Sequence, residues 1–141
     1  IRYVKDLEKE EILKSSLIAN VKLYSANRAS KRFLMEKKFF NIRSLYNSGL
    51  IDFFIQEYDN PVIIVFGSYY KGEDTEKSDI DIYIETNEKI IKNMEPFEKR
   101  LDRKVQVLKY KNIKSVENKE LANNIINGFA INGFLEVFKW E

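Results

Sequence analysis

The spacing of hydrophobic residues changes period several times along the chain, and each change marks an element. In residues 2–11, a largely charged stretch, Val4 and Leu7 stand at helical spacing. Residues 12–18 and 21–24 then read as two short strands, with Ala19-Asn20 where a hairpin turn belongs. Ser30 is placed to cap a helix whose apolar stripe is Phe33, Leu34, Phe40, Ile42, Leu45 and Tyr46. Asn47-Ser48-Gly49 breaks it. Leu50 to Tyr58 reads as a further helix, closed off by Asp59-Asn60-Pro61, since the residue before a proline avoids helical geometry.

The second half alternates strands and helices. Val62 to Phe66 is a continuous apolar run and reads as a buried strand, followed by a short helix from Ser68 to about Gly72. A charged loop, 73–78, leads to a strand over Asp79 to Glu85, with Ile80, Ile82 and Ile84 on its core face. Residues 87–102 predict a helix carrying Ile90, Ile91, Met94, Phe97 and Leu101. A strand follows at Lys104 to Leu108, a helix at Ser115 to Ile126, and a closing strand at Gly133 to Phe138. The expected fold class is α/β in the mixed α+β sense: a small mixed sheet flanked by helices, preceded by a hairpin and a helical segment.

Composition narrows the chemistry more than the fold. The 141 residues contain neither histidine nor cysteine, which removes serine–histidine catalysis, imidazole ligands, thiolate metal sites and disulfides. Carboxylates are left to hold any metal. No apolar run approaches a membrane span and no signal peptide is visible, so no membrane association and a cytoplasmic location are expected. The Lys-, Ile-, Asn- and Glu-rich usage points to an AT-rich microbial genome. The net charge of +2 is uneven: residues 1–57 hold eleven Lys and Arg against seven Asp and Glu, and residues 58–141 hold thirteen against fifteen. The front part therefore leans weakly toward polyanions.

The densest chemical signal is Gly67-Ser68-Tyr69-Tyr70-Lys71-Gly72 with Ser78-Asp79-Ile80-Asp81. On a strand, Asp79 and Asp81 share a face. Folding alone gives no reason to put two like charges there, but a divalent cation does. Mg²⁺ is commonly held by one or two carboxylates together with substrate phosphates. Gly67 lets backbone approach a phosphate, Ser68 adds a hydroxyl donor, and Lys71 is within reach of a phosphate. These parts suit a metal-bound nucleoside triphosphate.

Gly-Ser, ten residues, then Asp-x-Asp resembles the signature of the polymerase β nucleotidyltransferase superfamily, in particular its minimal, mostly prokaryotic members. The resemblance covers roughly residues 58–141 and implies that superfamily's fold. It also implies that Asp79 and Asp81 are catalytic metal ligands for Mg²⁺ or Mn²⁺. Gly67 and Ser68 would hold the β- and γ-phosphates, and a nucleoside monophosphate would pass to an acceptor as pyrophosphate leaves. The superfamily usually has a third carboxylate on the next strand, and alternation puts Gln106 at that position. Glutamine offers a weak carbonyl ligand and no base. Asp102, four residues away at a helix–strand junction, is a poor substitute.

Helix, strand, tight turn and strand at the front resemble the end of a winged helix-turn-helix domain, which archaeal proteins of this type often carry. The chain starts at Ile1, and the earlier helices of such a domain are expected upstream. The expected organisation is 1–28 partial winged helix, 29–58 helical connector and 59–141 nucleotidyltransferase domain. Three functions follow. The first is transfer of AMP from ATP, or of another NMP, to a protein or nucleic acid, the resemblance implying an antitoxin that modifies a helical HEPN toxin. The second is a DNA-binding regulator whose transferase-like domain senses nucleotide. The third is a non-catalytic interaction module, such as a partner that neutralises a toxin by occlusion, its cue being the aromatic helices of residues 33–55 as an exposed patch; the same stripe otherwise reads as core or as a homodimer surface.

Overall fold

A computed structural model describes residues 2–90 and 92–138. The chain opens with helix α1 (Arg2–Lys9) and the antiparallel hairpin β1 (Leu13–Ile18) and β2 (Val21–Ala26). Ala19 and Asn20 have φ of 48° and 65°, the left-handed pair that makes a two-residue hairpin turn follow strand twist. No side chain of α1 is buried, and the hairpin strands are exposed except at their ends.

Helices α2 (Lys31–Asn47) and α3 (Leu50–Glu57) follow. The Ser30 hydroxyl accepts from the Arg32 and Phe33 amides at 3.2 and 3.3 Å, satisfying two of the donors a helix start leaves open. The break falls at Ser48-Gly49, where Gly49 takes φ 88°.

Strands β3 (Ile63–Phe66), β4 (Ile80–Glu85), β5 (Val105–Tyr110) and β6 (Phe129–Asn132) form one mixed sheet in the order β5-β4-β3-β6. Only β4 and β5 run parallel, joined through helix α5 (Glu95–Leu101); the other pairs are antiparallel. One-turn helix α4 (Gly67–Lys71) follows β3 directly, and helix α6 (Lys119–Ile126) precedes β6. Two apolar layers sandwich the sheet. On one face Leu45, Leu50, Ile51 and Phe54 of α2 and α3 pack on Ile63, Val65, Ile80, Ile82 and Ile84. On the other, Ile113, Val116 and Ile125 cover Ile64, Phe66 and Tyr83. The alternation expected for Ile80, Ile82 and Ile84 is therefore real: all three are fully buried.

Three expected elements differ. The helix over 87–102 is confined to Glu95–Leu101, because Pro96 in its first turn has no amide for a carbonyl one turn earlier. Asn93 Oδ1 instead accepts from the Glu95 amide at 3.1 Å; Ile91 lies outside the described residues. The helix over 115–126 is split into a single 3₁₀ turn (Ile113–Ser115) and α6, since Asn112 and Asn118 each cap a separate start. The closing strand is Phe129–Asn132 rather than 133–138. Gly133 leaves extended geometry at φ 74°, and Leu135 and Val137 then pack against the α6 layer without pairing.

Candidate functional site

The site builds from the end of β3. Phe66 pairs with Asp81, and Asp81 pairs with Gln106, so the three lie side by side across the sheet on one face. The chain turns sharply after Phe66 into α4. Gly67 makes that turn with φ 77°, and a Cβ there would collide with the Asp81 carboxylate. Glycine is thus required twice, for the backbone and for the close seating of the acid. Ser68 is partly exposed beside it. Gly67→Ala is expected to lower stability by about 1–2 kcal/mol from backbone strain alone. It should also push the Asp81 side chain out of place; urea unfolding and nucleotide binding with Mn²⁺ would read both.

Asp79 is the last residue before β4, not its first, and is exposed; Asp81 is partly buried. Their charges interact. Burial, and then the Asp79 carboxylate, push the Asp81 carboxyl above the usual carboxylate range. Among the described residues no Lys or Arg pairs with either acid, although eight ion pairs form elsewhere. The two carboxylates thus make a negative patch without an ion-pair partner among the described residues, with Asp81 against the glycine turn.

Lys71 is exposed at the far end of α4, one helical turn from Gly67. Gln106 is exposed next to Asp81. No three His, Cys, Asp or Glu side chains converge among the described residues. Asp102 sits in left-handed geometry at the C-terminus of α5, exposed and short of the strand. Glu85 shares the Asp81 face but accepts from the Tyr83 hydroxyl at 2.9 Å, and burial, then that bond, raise the Tyr83 pKa far above its ordinary value. A divalent cation held only by Asp79 and Asp81 would have most of its positions open for phosphate oxygens and water, the pattern Mg²⁺ favours at nucleotide sites.

The pattern of the sequence passes over one cluster entirely. Asp74, in the loop before β4, has a fully buried side chain. Its carboxylate accepts from Asn41 Nδ2 at 2.7 Å and from Arg103 Nη1 at 2.9 Å, with Lys37 Nζ at 3.6 Å. Tyr69 of α4 joins through its hydroxyl, which donates to the Asn41 carbonyl at 3.0 Å. Burial first, then Asp74, push the Tyr69 pKa up to about 12. In the sequence Asp74 is one charge among many in residues 73–79, and nothing local marks it.

A comparison with protein-family models matches residues 49–129, more than half of the chain, to the family described as polymerase beta, nucleotidyltransferase. No curated protein and no solved structure matches the chain significantly. The match begins at Gly49 and ends at Phe129, so it takes in α3, β3, β4, β5 and α6 and stops at the first residue of β6.

Proposed function

The chain belongs to the polymerase β nucleotidyltransferase family, and from that membership we propose an Mg²⁺-dependent enzyme moving an NMP, AMP from ATP in the first instance, onto a macromolecular hydroxyl. The observation that carries this reading is the interacting pair Asp79 and Asp81, without a cationic partner among the described residues, with the Asp81 carboxylate seated on the Gly67 turn. In this reading Asp79 and Asp81 hold the divalent cation, which supplies charge neutralisation to the triphosphate. Gly67 gives the phosphates close access to backbone, and the Ser68 hydroxyl donates to them. Lys71 adds positive charge one turn away. The experiment is label transfer from α-labelled ATP with Mg²⁺ to a cognate acceptor. Labelled acceptor supports the reading, and no transfer to any cognate partner overturns it.

Gln106 shapes the rate. At the position beside Asp81 the chain has an amide, which cannot take the proton of an attacking hydroxyl. Transfer is then expected to be slow, with solvent accepting the proton. Gln106→Glu is expected to raise the transfer rate about 10- to 100-fold, the scale of a positioned general base. The same variant should be less stable without metal, because it adds a third carboxylate next to Asp81. Single-turnover transfer assays and thermal melts check both parts.

One observation favours a protein acceptor. Met35, Phe39, Phe40 and Tyr46 of α2 are exposed and line a groove of about 1150 Å³ with Tyr70 and Phe129. Tyr70 belongs to the helix that starts at Gly67, so the groove begins about one turn from the phosphate turn. An apolar surface of this kind is a docking signature. The HEPN-type toxin implied by the resemblance is the acceptor to try first. If the groove works by occlusion alone, neutralisation of that toxin survives loss of both aspartates. A contribution of the hairpin to DNA binding would appear as salt-dependent affinity for promoter DNA.

A further inference from the structure

Asp79 has no hydrogen bond or ion pair of its own among the described residues. Its place is therefore set by its backbone, and the backbone is anchored at both ends of a five-residue span. Downstream, the Ile80 amide donates to the Lys104 carbonyl at 2.9 Å. Between, Thr75 and Ser78 close a turn on each other: the Thr75 amide donates to Ser78 Oγ at 2.9 Å and the Ser78 amide to the Thr75 carbonyl at 3.0 Å. Upstream stands Asp74, whose carboxylate is held from α2 and from Arg103, while its carbonyl accepts from Arg28 Nη2 at 2.6 Å. Arg103 directly precedes Lys104. One short segment, 103–104, thus grips the loop by its buried carboxylate and the strand start by its carbonyl.

A buried carboxylate is an expensive way to fill a core, since apolar residues of similar volume often stabilise as well or better. What an ion pair adds is a fixed direction. We propose that Asp74, through Arg103 and Asn41, is a positioning residue that fixes the approach of Asp79 to Asp81 and so sets affinity for a metal–nucleotide complex. The proposal rests on the metal-binding role given to the acid pair above. Geometry matters on this scale, because a misplacement of about 1 Å at a reacting centre can cost on the order of 10²-fold.

The test uses the whole chain and Mn²⁺ with ATP as the probe, read by calorimetry alongside thermal melting. Asp74→Asn/Arg103→Gln removes the close ion pair together and keeps hydrogen-bonding groups in place, and Lys37, 23% exposed, can turn toward water. It is expected to melt cooperatively and to bind Mn²⁺·ATP about tenfold more weakly. Arg103→Lys, which keeps a charge opposite Asp74, is expected to fall between it and wild type and stands in if the double variant does not fold. Phe54→Leu, on the core face of α3, is the control: it should lower the melting temperature and leave Mn²⁺·ATP affinity unchanged. Wild-type affinity in the folded double variant, or equal weakening in Phe54→Leu, overturns the proposal alone. Absence of Mn²⁺·ATP binding by wild type overturns the reading of the acid pair and the proposal with it.

Discussion

Asp81→Asn is expected to abolish nucleotidyl transfer while making the metal-free protein more stable. The loss should be on the order of 10³-fold, matching the several kcal/mol of charge stabilisation that a bound cation supplies to a phosphoryl transition state. The gain in stability follows from the direction of the Asp81 pKa. Burial and Asp79 raise it, so the folded state holds its proton more tightly than the unfolded chain does. That preference favours folding at pH below the unfolded value. It is lost as the pH rises through the folded value, and at neutral pH the ionised Asp81 is a burden on the fold. Asparagine keeps the shape and removes the charge. A rise in melting temperature of roughly 1–4 °C is expected at pH 7, shrinking toward pH 4. Divalent cation with nucleotide should raise the melting temperature of wild type and not that of Asp81→Asn. If Asp81→Asn is less stable than wild type at neutral pH, the acid pair is not a repulsive site waiting for a cation.

Asp74→Ala is expected to destabilise the fold strongly. Removing one partner of a buried ion pair costs about 3–5 kcal/mol, because the remaining charges lose their compensation. Arg103 and Lys37 keep side-chain exposures of 14% and 23%, so both can turn partly toward water, which places the effect near the lower end. Asn41, 1% exposed, cannot, and its amide loses an acceptor. Urea unfolding should show the loss in midpoint without a change in slope. Apolar replacement of both partners, Asp74→Leu with Arg103→Met, is expected to recover most of the stability. Recovery would assign the loss to the stranded charges rather than to the side-chain volume.

How far the chain can be read depends on how local each cause is. The run Val62 to Phe66, the Gly-Ser turn and the alternation through Ile80, Ile82 and Ile84 have causes within a few residues, and they fold as the pattern predicts. Pro96 and Gly133 are also local signals, and they overrule the hydrophobic pattern around them by removing an amide or reversing φ. Gln106 is an intermediate case. Alternation puts it on a definite face of its strand, but only the parallel register with β4 puts it beside Asp81.

By itself the sequence determined the kinds of group available: two aspartates at strand spacing, a Gly-Ser turn ahead of them, an amide for the third acid, and no imidazole or thiol. Side-chain type and strand periodicity are properties of the local chain, so they survive without a fold. Tertiary structure alone decided that the Asp81 carboxylate sits on Gly67 and that Asp74 is buried against Asn41 and Arg103, 33 and 29 residues away. Those contacts exist only once the helices close over the sheet, because desolvation and pairing of a charge depend on residues that the chain brings together from a distance.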